Sequence, residues 1–123
     1  MCYYNLIFKY GIKKFSKDAS LSGVDGVIIP DLPVEEAKIW KKEADLKNIA
    51  TIFLASPTST SDRLKMIADL SSGFIYYVSL TGVTGERKSI NTNIKKSINL
   101  IRYCKDKPIA VGFGVSTPKQ AKD

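Results

Sequence analysis

The sequence contains no histidine, and that absence narrows its chemistry before any motif is read. The commonest metal ligand and the usual general base near neutral pH are both missing. Most triad and zinc mechanisms are thereby excluded, and acid–base work would fall to carboxylates, tyrosines or lysines. Cysteine is nearly as scarce: Cys2 and Cys104 stand far apart and make neither a disulfide framework nor a zinc spacing, so no metal site is expected. No apolar run approaches the roughly 18 residues of a membrane span. The opening stretch, Met1 to Lys14, lacks the basic, apolar, small-residue order of a signal peptide, and a cytoplasmic setting is the default expectation. Linkers and low-complexity segments are absent too, so residues 1–123 are expected to form a single domain.

What is present is ordinary for a globular chain: 44% hydrophobic and 25% charged residues, enough for one real core. The net charge of +7 raises the question of nucleic acid. The lysines, however, are spread in pairs such as Lys13–Lys14, Lys41–Lys42 and Lys95–Lys96. Arginine, the preferred reader of bases and phosphates, occurs only as Arg63, Arg87 and Arg102. A solvated, lysine-rich surface is the expectation, with no nucleic-acid partner.

Along the chain, short continuous apolar runs alternate with amphipathic stretches. Met1 to Tyr4 reads as the end of a strand, followed by a helix with Phe8, Ile12, Phe15 and Ala19 on one face. Gly26 to Pro30 is a buried strand; Pro33 and Glu35–Glu36 then open a helix whose Ala37, Trp40 and Ala44 recur at helical spacing. Thr51 to Ala55 is the next strand, followed by a polar turn and a helix carrying Leu64, Ile67 and Ala68. Phe74 to Val78 and Pro108 to Val111 are two more strands, separated by a long glycine-containing loop and a stripe of Ile94, Ile98 and Ile101. Thr117-Pro118-Lys119-Gln120 has the order of a capping box with proline in the first helical position. About five strand–helix steps imply an α/β fold with a parallel sheet.

A dinucleotide-binding sheet would join a strand to a helix by G-x-G-x-x-G, and no such motif occurs. Glycines and hydroxyls gather instead after strand after strand, which suits a barrel whose βα loops share one mouth. A full (β/α)8 barrel needs eight strands and about 250 residues, so the expectation is a partial TIM barrel. Ser79 to Arg87 and Gly112 to Ser116 are glycine loops at equivalent strand ends, where backbone N–H groups can cradle an anion such as phosphate. The loop from Leu80 to Asn91 is long enough to serve as a lid over that mouth.

Several of these segments resemble the tryptophan synthase alpha chain family in order and spacing. They are Tyr3-Tyr4-Asn5, Gly23-Val24-Asp25-Gly26, Pro30-Asp31-Leu32-Pro33, Glu35-Glu36, Ser79 through Gly85, and Gly112 through Ser116. The resemblance covers essentially the whole chain. It implies a lyase of tryptophan biosynthesis that cleaves indole-3-glycerol phosphate to indole and glyceraldehyde 3-phosphate. Matched position by position, it implies that Gly85 and Gly114 contact the substrate phosphate. Tyr3, Tyr76 and Phe113 would line an indole pocket, and Thr81, Gly82, Val83 and Thr84 would belong to the lid. Asn5, Asp31 and Pro33 would form the rim facing a beta subunit in an alpha2beta2 complex. Pyridoxal phosphate would sit only on that beta subunit, so this chain would hold no cofactor. Leu80 departs from family members that carry arginine there.

The family's two catalytic carboxylates, a glutamate ending the second strand and an aspartate in the loop after it, would lie upstream of Met1. The last strand, with further phosphate contacts, would lie beyond Asp123. No catalytic residue is therefore expected in this chain, which would be inactive alone. Asp31 stands at a strand end, but Asp followed by Leu-Pro-Val-Glu suits a turn or helix cap. A chain holding only part of a barrel leaves sheet edges open and is expected to aggregate or unfold partly when expressed alone. The other readings are a non-catalytic fragment that binds a beta-type partner and a different phosphate-binding barrel enzyme. Such barrel enzymes usually carry catalytic lysines or carboxylates at strand ends.

Overall fold

A computed structural model describes residues 1–78, 98–102, 107–112 and 117–122. Three parallel pairings and one looser contact build its wall. The first is between β1 (Gly26–Ile28) and β2 (Ala50–Ile52), with Val27 opposite Thr51. A second strand segment, β3 (Leu54–Ala55), pairs with β4 (Ile75–Val78), and β4 pairs with β5 (Ile109–Gly112). The last contact is looser: residues 1–3 form no strand, but the Cys2 N–H donates to the Ile28 carbonyl at 3.0 Å and lays this segment beside β1. Within each of the two sheets the strands neighbour one another in sequence order, as expected of a barrel wall.

The strand expected over Thr51 to Ala55 is divided at Phe53. Its first half serves β1 and its second half serves β4, and the Tyr76 N–H bonds the Phe53 carbonyl at 3.0 Å across the break. Twist between neighbouring strands lets one segment face two partners in this way.

The opening helix is also divided. Helices α1 (Tyr4–Tyr10) and α2 (Ile12–Leu21) meet at Gly11, whose φ of 94° lies where only glycine is at ease. The expected common face therefore does not form: Phe8 is 68% exposed, and Ile7 is buried in its stead. Three contacts hold the elbow. The Tyr10 hydroxyl donates to Asp18 Oδ2 at 2.9 Å, the Tyr10 and Phe15 rings meet edge-on, and Lys14 Nζ lies 5.0 Å from the centre of the Tyr10 ring. The hydrogen bond and charge of Asp18 hold the Tyr10 phenol above its ordinary pKa of 10.0.

Pro33 opens a 3₁₀ turn, Val34–Glu36, before α3 (Lys38–Asp45) begins, so the continuous helix expected here starts later. Its apolar stripe is as the spacing implies: Ala37, Trp40 and Ala44 are all buried. Helix α4 (Ser61–Leu70) is capped by Thr60, whose Oγ1 accepts the Arg63 N–H at 3.3 Å, and it buries Leu64, Ile67 and Ala68. Residues 98–102 are helical with Ile101 fully buried, while Ile94 lies outside the described residues. Pro118 opens the short helix Pro118–Lys122.

Both helix-to-strand returns before β1 and β2 use a left-handed residue. After α2 it is Gly23, at φ 78°, and after α3 it is Asn48, at φ 55°. The Val24 and Ile49 N–H groups then reach back to the Ala19 and Ala44 carbonyls, each at 3.0 Å. The chain thus leaves each helix in the direction of its next strand.

The helices and the sheet enclose the core. Ile75 and Tyr77 point into it from β4, whereas the alternate residues Tyr76 and Val78 are half-buried on the other face. Tyr77 is fully buried, and its hydroxyl has no hydrogen-bond partner among the described residues. An unpaired buried hydroxyl carries its desolvation cost without return. Tyr77→Phe is therefore expected to leave stability unchanged or raise it by about 1 kcal/mol. Urea unfolding followed by circular dichroism measures this; a loss above about 1 kcal/mol would mean that the hydroxyl is bonded. Among the described residues, no helix is long and apolar enough to cross a membrane.

Candidate functional site

In a parallel wall the carboxyl ends of the strands share one rim, and the loops that follow them are neighbours. The rim begins beyond β1, where the chain runs through Pro30 and Asp31 to Pro33. Asp31 is exposed, and its Oδ1 accepts the Tyr4 N–H at 2.8 Å. This differs from the cap that its own sequence context suggests. Neither the 3₁₀ turn nor α3 receives a side-chain cap, and Asp31 instead closes the start of α1, 27 positions earlier. Local sequence could not reveal that partner, because the bond is made through the fold.

The bond gathers one group of the expected site residues. Tyr3 is the residue preceding α1, extended in backbone and 62% exposed; Asn5 is exposed in the first turn. Pro33, half-buried, precedes the 3₁₀ turn two positions beyond Asp31. Next to this group, Glu35 Oε1 lies 3.4 Å from Arg63 Nη1, an exposed pair that ties the 3₁₀ turn to α4. Such a pair adds little stability in water but fixes a relative position.

The other described residue of the expected pocket is Tyr76. In the β4–β5 register Tyr76 stands opposite Ala110 and Val78 opposite Gly112. The Tyr76 side chain leans along the strand and covers Gly112. A Cβ built on Gly112 would overlap the phenol's Oη and Cζ, and Cε1 would lie only 2.8 Å away. Glycine at this strand end thus leaves the space that the aromatic ring occupies. The sequence places a glycine there but does not say which side chain needs the room. Gly85, Gly114, Phe113, Thr81, Gly82, Val83, Thr84 and Leu80 lie outside the described residues.

Two polar arrangements at this sheet go beyond the sequence expectations. After β3, Ser59 Oγ accepts the Ser56 N–H at 3.1 Å, and Ser56 Oγ lies 2.9 Å from Thr58 Oγ1. These bonds fold the hydroxyl-rich turn onto itself before Thr60 starts α4, and the run Ser56-Pro57-Thr58-Ser59-Thr60 was its only sequence sign. At the opposite end of the strand, Thr51 is fully buried in β2. Its hydroxyl donates to the Leu70 carbonyl at 2.8 Å, and its N–H reaches Ser72 Oγ at 2.9 Å. A buried hydroxyl in an apolar strand is tolerated because both of its neighbours satisfy it. Among the described residues, no three of Cys, Asp and Glu converge as a metal site.

Comparison with known proteins agrees with this architecture over its whole length. The family model for the tryptophan synthase alpha chain matches residues 1–123. The chain belongs to the tryptophan synthase alpha chain family. The Geotalea daltonii alpha chain is 50% identical over 121 residues, covering 98% of this chain and 46% of its own length. A Thermoanaerobacter alpha chain is 49% identical over 122 residues, covering 99% of this chain and again 46% of the relative. Among solved structures, a chain of the tryptophan synthase a2b2 complex from Pyrococcus furiosus superposes with a TM-score of 0.87 at 40% identity. That match covers 98% of this chain and 48% of the other. Mycobacterium tuberculosis tryptophan synthase gives a TM-score of 0.86 at 34% identity, covering 97% and 45%. This chain therefore spans about half the length of the alpha chains it matches, and its parallel strands are part of a TIM-barrel wall.

Proposed function

We propose that this chain supplies part of the substrate pocket and partner rim of an alpha-type lyase in tryptophan biosynthesis. The reaction is cleavage of indole-3-glycerol phosphate to indole and glyceraldehyde 3-phosphate, in the cytoplasm. In this reading residues 1–123 act as one domain. Tyr3, Tyr76 and Phe113 line the indole pocket, and Gly85 and Gly114 offer backbone N–H groups to the substrate phosphate. Thr81, Gly82, Val83 and Thr84 lie in the lid, and Asn5, Asp31 and Pro33 meet a beta subunit. The pyridoxal phosphate of the complex belongs to that subunit, and this chain holds no cofactor.

The observation that carries the reading is the family match across residues 1–123, with Tyr76 within β4 and Asp31 in the loop that follows β1. It is supported by the half-buried Tyr76 ring resting over Gly112 on the sheet face away from the core, where a flat aromatic substrate could stack. The same geometry argues against catalysis by Asp31. Its carboxylate is engaged by the Tyr4 N–H, and Glu35 is engaged by Arg63. The 123-residue chain on its own is thus a binding and positioning element without the proton-transferring pair.

The test is indole release from indole-3-glycerol phosphate by the purified chain, with and without a beta subunit. No indole is expected in either case. Clear turnover would place a working acid–base pair in this chain, and Asp31→Asn would then be the next variant to assay.

A further inference from the structure

We infer that Asp31 is a positioning residue: its carboxylate clips the start of α1 to the end of β1 and so sets the part of the partner rim that includes Tyr3 and Asn5. The inference rests on the proposed beta-subunit partner and adds what holds the rim in shape. Two bonds bracket Tyr3. On one side the Cys2 N–H donates to the Ile28 carbonyl at 3.0 Å, and on the other the Tyr4 N–H donates to Asp31 Oδ1 at 2.8 Å. Both acceptors belong to β1 or the loop that follows it, so Tyr3 is held between two anchors on one neighbouring strand. Its backbone is extended there, at φ −75° and ψ 144°.

Helix α1 cannot supply this cap itself. The first N–H groups of any helix lack intrahelical partners. Tyr3, in the capping position, makes no side-chain cap hydrogen bond, and the first turn of α1 contains no acidic residue. Asp31 therefore provides from the adjacent loop both the missing acceptor and a negative charge at the positive end of the helix. The consequence is mechanical. The start of α1 and the loop after β1 move as one unit, and Asn5 cannot shift without breaking the Asp31 bond.

The experiment titrates the full 123-residue chain and its variants against a tryptophan synthase beta subunit and follows amide exchange at Tyr4 in parallel. Asp31→Asn keeps an acceptor for the Tyr4 N–H and is expected to weaken binding clearly less than Asp31→Ala does. Asp31→Ala is expected to weaken binding about tenfold and to speed exchange at Tyr4 by a similar factor. Tyr4→Pro removes the same bond from the donor side. Proline is accepted at a first helical position, and the extended Tyr3 suits a following proline. This variant should match Asp31→Ala, and it replaces that variant should alanine fail to fold. Ser72→Ala removes the acceptor of the Thr51 N–H, between α4 and β4 at the end of the strands opposite the rim, and is expected to leave partner affinity unchanged.

Equal weakening by Asp31→Asn and Asp31→Ala would overturn the inference, because the charge itself would then be what the partner reads. Equal weakening by Ser72→Ala would overturn it too, by showing only a general loss of stability. Unchanged binding by Asp31→Ala would do the same. If the parent chain does not bind a beta subunit, the partner reading fails and the functional half of the inference with it. Exchange at Tyr4 then still decides whether the clip exists.

Discussion

Replacing Trp40 with alanine is expected to destabilise the chain by about 3–5 kcal/mol. Trp40 is 1% exposed and is the largest side chain fully buried in the core. It projects from α3 toward α2, where its ring meets Phe15 at a centroid distance of 5.9 Å and an angle of 54°. Along the chain it is flanked by Ala37, just before α3, and Ala44, within it, both fully buried and too small to fill the space that the indole would vacate. A cavity of that size, between two helices anchored to different strands, cannot close without moving one of them. For a domain whose whole stability is about 5–15 kcal/mol, such a loss removes a large share. Trp40→Phe keeps an aromatic surface against Phe15 and should cost clearly less. Urea unfolding of both variants, followed by circular dichroism, measures the difference. A loss below about 1 kcal/mol for Trp40→Ala would mean that the α2–α3 contact is not a packed core.

The position of Trp40 shows what periodicity makes legible. Ala37, Trp40 and Ala44, like Leu64, Ile67 and Ala68, occur at helical spacing in the sequence and are all buried in the structure. The parallel order of the strands was legible as well, because both-face burial leaves continuous apolar runs that alternate with amphipathic stretches. The departures share a physical cause: they depend on a partner distant in sequence or on a single backbone angle. Phe8, Ile12, Phe15 and Ala19 fit one helical face on spacing alone, but the φ of 94° at Gly11 turns the chain and leaves Phe8 outside. Thr51 to Ala55 read as one strand, although Phe53 divides its bonding between β1 and β4. In the candidate site, the motif residues could be named from resemblance. Neither the acceptance of the Tyr4 N–H by Asp31 nor the seat of Tyr76 over Gly112 could be, since each joins loops or strands that are separate in sequence.

The Tyr76–Gly112 contact leads to the second large effect. Gly112→Ala is expected to cost about 1–3 kcal/mol, the usual range for forcing extra volume into a packed contact. The backbone is not the obstacle, because φ at Gly112 lies outside the left-handed region and an alanine can adopt the strand conformation. The obstacle is the Tyr76 ring, whose Oη and Cζ occupy the place of the new methyl group. Removing the hydroxyl alone should therefore not relieve the clash: in Tyr76→Phe the ring carbon still overlaps, and Cε1 remains 2.8 Å away. Removing the ring should relieve it, so Gly112→Ala introduced into a Tyr76→Ala chain is expected to be close to neutral. A double-mutant cycle on urea unfolding reads this as a coupling of at least about 1 kcal/mol. Equal costs of Gly112→Ala in the two backgrounds would mean that the ring does not rest on the glycine. If the coupling is found, glycine at the end of β5 is required by a side chain on β4. The wall of the proposed indole pocket is then set by a pair of residues on adjacent strands, so that a methyl group on one strand displaces the aromatic surface offered by the other.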